Sequence, residues 1–403
     1  MKEENKLFHV ECSTIALIAM VWVSGEAVHA EDGPIYVESG PMASSLARPQ
    51  AAISSVIGIF DAALNNTAGG IDDAFNQPGS SLVASPKSDK PCYLSDLLAK
   101  ADKSSCQVVG GPWVRVLGGQ TTTSMVGVTN RWGQVIGGTD LWHQSWENTI
   151  RQRTNYSGVQ AGMDSGILNL EGIGVNVHFG LMGGKISARA DSIDAPYPNS
   201  VNFEVPFLGA YYVLTKGNFM ADFTYRHSWY DSKMTNVDLY LNDAPLNGRS
   251  DNVNASVSYR IALPSRFFVE PTANISYSRS TFDSPISGGM PVMDFDPVKS
   301  LLARGGARFG TSFSYGGYSW SPYAVALVAN EFEKPTGAIF EKGLYSNTDM
   351  TTDRVGTYYQ TSLGISFQSQ TSGLVGFTRA DYQTGSKIHG GGVVGGVRYS
   401  FGP

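Results

Sequence analysis

From Gly111 to the C-terminus the chain repeats one pattern: segments of roughly ten residues in which apolar and polar side chains alternate with a period of two, separated by turn residues. A strand throws successive side chains to opposite faces, so such a segment suits a sheet with one apolar and one wet surface. In RFFVEPTANISYS, Phe267, Val269, Ala273, Ile275 and Tyr277 alternate with Arg266, Glu270, Asn274, Ser276 and Ser278. In NVNASVSYRIAL, Val253, Ala255, Val257, Tyr259 and Ile261 oppose Asn252, Asn254, Ser256, Ser258 and Arg260. The parity recurs in FMADFTYRHSWY, IGVNVHFGL, ARGGARFGTSF and GTYYQTSLGISF.

The spacing predicts strands at 112–118, 154–168, 172–184, 203–215, 218–231, 251–263, 266–283, 300–315, 318–333, 354–369, 373–386 and 391–401. That is an even count of about twelve, the arithmetic of a closed antiparallel barrel. Connections alternate between tight turns, near Leu170–Gly172, Lys216–Gly217, Pro264–Ser265, Gly316–Gly317 and Thr371–Gly373, and long polar ones at 119–153, 186–202, 232–250, 284–298 and 335–353. Short periplasmic turns and long outer loops give a transmembrane barrel this asymmetry. The fourth and ninth strands alternate less cleanly, with Leu208, Tyr212, Ala324 and Val328 on the nominally wet face, a hint that something fills the pore.

Composition agrees. Only 16% of the 403 residues are charged, beside 46 Gly, 19 Tyr, 19 Phe and 7 Trp, and mean hydropathy is −0.12 with no apolar run long enough for a membrane helix. A net charge of −6 without a basic tract excludes a nucleic-acid footprint. The reading is all-β and transmembrane, with outer-membrane lipid as solvent.

At the N-terminus Lys2 and Lys6 precede the apolar stretch Ile15–Val23 and the segment AVHA, a secretory signal cut between Ala30 and Glu31. Glu3 and Glu4 depart from the usual basic start. Cys12 leaves with the signal. Cys92 and Cys106 form an even pair in an oxidising compartment, and a bridge closing about 15 residues contributes on the order of 3 kcal/mol. A metal site lacks nearby His or further Cys, and no cofactor motif occurs.

Between Ala47 and Leu64, Ile53, Val56, Ile57, Phe60 and Leu64 follow helical spacing. Such a helix is roughly 25 Å long, about the height of a barrel's apolar band, and is predicted to sit in the pore. The domain order is then a signal at 1–30, a short segment and pore helix at 31–66, a linker at 67–110 holding the cysteine pair, and the barrel at 111–403.

WVRVLGGQ at the first strand and YSGVQAGMDSG at the second, then LGAYYVLTKGNFMADFTYRHSWYD, RFFVEPTANISYSRSTFD, LLARGGARFGTSFSYGG, SPYAVALVANEFE, GTYYQTSLGISF, YQTGSK and the terminal GGVRYSF resemble, in order and spacing, the C-terminal barrel of autotransporters. The resemblance covers most of Trp113–Phe401 and implies twelve strands with a helix through the pore. It implies a translocator function, barrel-assembly machinery and periplasmic chaperones as partners, and a monomer. IYVESGPMASSLARPQAAISSVIGIFDAAL looks like the segment leading into the helix, and Asn65-Asn66 stands where some members cut themselves. Two departures stand out. Residues 31–110 hold no repeat, so a passenger is minimal or vestigial, and Gly402-Pro403 follow Phe401 where members end on the aromatic. Val397, Tyr399 and Phe401 still alternate as an assembly signal does.

His178, His227, Asp231 and Asp283 show no nucleophile–base spacing, so no catalytic residues are assigned and a barrel-embedded hydrolase is the weakest reading. His178 reads as one lumen residue among many, and His227 as part of an interfacial band with Trp229 and Tyr230. A plugged or small-pore channel, or a surface adhesion barrel, is the alternative. Strand parity gives the lumen Arg115, Gln160, Asp164, Asp222, Arg226, Arg260, Glu270, Arg304, Arg308 and Arg398, a basic interior. On non-reducing gels the exported protein should migrate in a heat-modifiable form with Cys92 and Cys106 bridged; free thiols at both positions would remove the bridge.

Overall fold

The computed structural model describes residues 48–57, 59, 91–93, 106–134, 141–195, 198–287, 290–291, 293–342 and 346–401. The signal cleavage site Ala30–Glu31, the helix positions Phe60 and Leu64, the Asn65-Asn66 pair and Gly402-Pro403 lie outside the described residues.

Twelve long strands form the body: β1 (Val108–Gln134), β2 (Leu141–Leu170), β3 (Val175–Ser192), β4 (Asn199–Lys216), β5 (Phe219–Asn236), β6 (Leu241–Tyr259), β7 (Phe267–Phe282), β8 (Val298–Thr311), β9 (Tyr318–Glu331), β10 (Thr357–Ser369), β11 (Leu374–Gly385) and β12 (Ile388–Tyr399). Each pairs antiparallel with the next. β12 then returns to β1, with Trp113 opposite Arg398 and Thr123 opposite Ile388. The sheet is a closed ring, so its backbone donors and acceptors satisfy one another without water.

Alternation sorts the two faces. Met163, Phe179, Leu181, Phe223, Ile275, Phe309, Leu363 and Val393 point outward and are exposed. Serines and asparagines of β6 and β7 point inward and bond to one another: Asn274 Nδ2 donates to Asn254 Oδ1 at 2.5 Å, Asn252 Nδ2 to Ser276 Oγ at 3.1 Å, and Ser280 Oγ to Ser250 Oγ at 2.8 Å. An apolar exterior around a polar interior is what lipid outside and water inside require.

One helix, α1, is described over residues 48–57 and 59, and every one of those side chains is buried. Ala52, Ile53, Val56 and Ile57 join one cluster with Leu117 of β1, Ile186 and Ala188 of β3, Phe203, Val205 and Phe207 of β4, Met234 of β5, Leu246 of β6, Phe377 of β11 and Val394 of β12. Contacts with strands on opposite sides of the ring place α1 inside the pore. Burying each Ile or Val stabilises this position by about 1.5–3 kcal/mol.

The structure corrects three expectations. Leu208 and Val328 are not lumenal: they are 61% and 47% exposed on the outer wall, as is Ala324, while Tyr212 is half-buried on the same face. The inward faces of these two strands are Phe203, Val205, Phe207, Tyr211 and Val213 on β4, and Tyr323, Val325, Leu327 and Ala329 on β9. Both faces are apolar, so alternation could not tell inside from outside. Tyr230 is buried against Phe203 and Phe282, with ring centroids 6.3 and 4.9 Å away, and so leaves the outer band to His227 and Trp229, 4.7 Å apart.

Thirdly, the long connections are largely strand. β1 and β2 stay paired from Val108–Ile167 out to Gln134–Leu141, through most of the stretch 119–153. β3 and β4 are paired to Asp191–Ser200, and β5 and β6 nearly to the 3₁₀ turn Val237–Leu239. Thr336–Lys342 and Ser346–Thr352 make a further hairpin whose second strand pairs with the outer part of β1. Beyond the lipid both faces meet water, so the ladder continues after hydrophobic alternation has ended.

At the short-turn end, Gly180 of β3 lies under the ring of Tyr211, and a Cβ built there would stand 2.1 Å from a ring carbon. Gly180→Leu should therefore destabilise the barrel by about 1–3 kcal/mol, read as a lower denaturant midpoint. The outward variant Leu181→Val should leave the midpoint nearly unchanged.

Candidate functional site

The site is the pore, and its lining changes from one end to the other. At the short-turn end, Asp164 of β2 is enclosed by three partners from three strands. Arg398 of β12 grips it with both guanidinium amino groups, Nη2 donating to Oδ1 at 2.7 Å and Nη1 to Oδ2. Tyr211 of β4 donates its hydroxyl to Oδ2 at 2.9 Å and receives the Trp113 Nε1 hydrogen at 2.7 Å. His178 of β3 stands 3.4 Å from Oδ1 through Nδ1. The Asp164 and Arg398 side chains are 0% and 1% exposed. The pair reaches across β1, binding the last strand of the ring to the second, over the closure seam.

Just outside this network, the Cys92–Cys106 disulfide holds a short segment against the β2–β3 turn. Cys92 donates its amide to Asn169 at 3.1 Å and accepts from Glu171 at 2.8 Å. Gly172, at φ +68°, sits beneath Pro91, where an added Cβ would stand a tight 3.1 Å from the proline Cβ. The linker preceding β1 is thus anchored at the short-turn rim.

Elsewhere on the inner wall, arginines dominate. Arg260 and Arg308 both face Glu270, with Arg260 Nη2 at 2.9 Å and Arg308 Nε at 4.0 Å. Their guanidinium carbons lie 4.5 Å over Phe268 and 4.7 Å over Tyr323. Arg226 lies 5.7 Å over Phe207, and Arg115 Nε donates to Gln160 at 2.6 Å. Asp222 accepts from Ser256, and Arg304 is buried on β8. All ten residues assigned to the lumen thus sit on inward positions. Arg379, which the sequence reading did not include, is also inward, bound to Asp381 at 2.6 Å.

The outer half belongs to α1. Arg48 Nη2 donates to the Asp194 carbonyl at 3.3 Å, and Gln152 Nε2 donates to the Arg48 carbonyl at 3.2 Å. Arg151 forks onto Asp194 at 2.7 and 2.8 Å, and this hydrogen bonding holds the Asp194 carboxyl below the usual range. A depressed carboxyl keeps its partner until the pH falls through the lowered value, so the contact survives mild acid. Toward its other end, Ser54, Ser55 and Ile59 face a small cavity with Met125, Glu331, Arg354 and Tyr358. Val397 and Tyr399 of β12 and Phe401, two residues past its end, project outward, and Phe401 bridges Gly110 at the short-turn rim.

The Tyr211–Trp113–His178 part of the Asp164 network escaped sequence reasoning. Tyr211 lies on the strand whose parity was ambiguous. Its signal was indirect: an inward glycine, Gly180, opposite it on β3. Among the described residues no group of three or more His, Cys, Asp or Glu could hold a metal ion.

Removing one partner of a buried pair leaves an uncompensated charge. Arg398→Gln should lower stability by about 3–5 kcal/mol, and the double variant Arg398→Met/Asp164→Leu should recover most of it, both read from denaturant midpoints of the heat-modifiable form.

The chain is similar in structure to the beta domain of the Bordetella autotransporter Brka, with 20% identity and a TM-score of 0.52 over 72% of this chain and 99% of that one. It is also similar to the transport unit of the Escherichia coli autotransporter AIDA-I, with 15% identity and a TM-score of 0.53 over 72% and 90%. No curated protein sequence matches it. The family model described as Autotransporter beta-domain matches residues 131–381, more than half of the chain, and the protein belongs to that family of outer-membrane translocator barrels.

Proposed function

We propose that this translocator delivers the segment before Arg48 to the outer face and then keeps α1 in the pore as a plug. The observation that carries the reading is the path of the chain from Arg48 to Cys92. Arg48 contacts Asp194, in the β3–β4 connection at the end with long hairpins, whereas Cys92 is held at the short-turn rim. A chain entering from the periplasm would leave its earlier residues outside in just this polarity.

In this reading the signal is cut between Ala30 and Glu31, residues 31–47 form a minimal displayed segment, and no step of the delivery is catalysed by the barrel. Val397, Tyr399 and Phe401 serve recognition by the assembly machinery, aided by periplasmic chaperones. The closed ring supports a monomer, because within the ring the described strands leave no edge to recruit a second chain.

A tag placed after Glu31 should be labelled in intact cells; a tag reached only after the outer membrane is breached would reject outward delivery. The intact protein should conduct poorly in a planar bilayer. Deleting residues 41–66 should open a stable channel preferring anions, because seven inward arginines outnumber the carboxylates among them, Asp164, Asp222, Glu270, Asp381 and Glu331. Equal conductance of the two folded forms would reject the plug.

A further inference from the structure

The outer wall carries its charges unevenly at the upper edge of the apolar band. On β10, β11 and β12 the charged residues are Arg379, Asp381 and Arg398, all at inward positions. On β2–β4 three outward cations are paired within the protein, Arg151 with Asp194 at 2.7 Å, Lys185 with Glu204 at 2.6 Å and Arg189 with Asp191 at 2.9 Å, and a fourth, Arg153, stands opposite Asp191.

The wall of β5–β8 is different. Strand register sets His227, Asp251, Arg279 and Lys299 side by side in one row. Directly beneath them, toward the membrane centre, runs the row Tyr225, Val253, Tyr277 and Leu301, and directly above lie Trp229 and Arg249. Arg249, Asp251, Arg279 and Lys299 are exposed. Asp251 already accepts from His227 Nδ1 at 2.8 Å and from the Tyr225 hydroxyl at 2.7 Å. Asp231, two residues further out on β5, faces Asn247. Within these rows three cations share one engaged carboxylate, Asp251, on strands about 5 Å apart, and Asp231 and Asp283 flank Asn247 only in the next row out.

We propose that this face binds the phosphorylated sugar headgroup of an outer-leaflet glycolipid. Arg279 and Lys299, adjacent on β7 and β8, are spaced to share one phosphate; Arg249 is placed for a second, with the Trp229 ring beside it for the sugar. Tyr225 and Tyr277 lie where the headgroup meets its acyl chains, the level that amphipathic rings occupy. Position argues for a lipid over a free anion: the cations stand over an aromatic and apolar row on a wall that faces lipid. The proposal rests on the barrel's orientation in the membrane but not on the plug.

The test uses the full chain, folded in detergent as shown by heat-modifiability, with bisphosphorylated lipid A, the same lipid dephosphorylated, and inorganic phosphate as probes. Retained lipid is counted by native mass spectrometry. The triple variant Arg249→Gln/Arg279→Gln/Lys299→Gln should lose about tenfold in lipid A retention. Dephosphorylated lipid should bind the parent as weakly as lipid A binds the triple variant. The control Arg151→Gln/Lys185→Gln, on the self-compensated wall, should retain lipid A like the parent. Unchanged retention in the triple variant, or equal loss in the control, would overturn the proposal. Displacement of lipid A by an equal concentration of inorganic phosphate would replace it with a free-anion site.

Discussion

A strand in hydrocarbon cannot leave its peptide groups to water, so the ring must close, and everything else in this chain is arranged around that closure. The seam is where β12, the last strand made, meets β1. It is the junction that local sequence can do least to secure, because its two strands lie at opposite ends of the barrel sequence. The Arg398–Asp164 pair spans it from the inside, and the Gly110–Phe401 bridge continues the pairing beyond the end of β12. A buried ion pair is weak evidence of net stability, since desolvation offsets much of its attraction. It is stronger evidence of specificity, for a shifted register would strand both charges in a dry corner.

Glycine sets how closely the inner surface can be filled. Large inward rings, Trp113, Tyr211 and Tyr323, each lie over a glycine of a neighbouring strand: Gly162, Gly180 and Gly364. The narrow interior therefore takes aromatic side chains flat against the wall, where they support the polar partners of Asp164 and the guanidinium of Arg308. The composition that first suggested a barrel, rich in both glycine and aromatics, reflects this pairing as much as it reflects the lipid boundary.

How much of this was legible depended on whether the two sides of a strand faced different solvents. β6 and β7 carry serine and asparagine inward against valine, isoleucine and tyrosine outward, and their faces were readable residue by residue. β4 and β9 are apolar on both faces, for α1 takes the place of water against β4 and aromatic packing does so at β9, and there parity was lost. The outer halves of β1 and β2 failed for the reverse reason, since water on both faces leaves no alternation to read. The Asp164 network was half legible: Asp164 and Arg398 follow from parity, but their meeting follows only from the register of β1 with both neighbours.

The apolar inner wall of β3 and β4 constrains what α1 can do. Ile186, Val201, Phe203, Val205 and Phe207 are covered now, and withdrawal of the helix would expose them to pore water together with Ile53, Val56 and Ile57. At about 1.5–3 kcal/mol per large side chain, even a few of these oppose release by more than the net stability of many small domains. A polar pore with a polar helix would let a plug come and go. This one is matched by hydrophobic surface, fixed at its outer end by Arg48 and Gln152, and followed by a linker tied to the short-turn rim through Cys92. The chemistry favours a helix that stays once it has arrived, so any traffic through this barrel belongs to the stage before α1 takes its place.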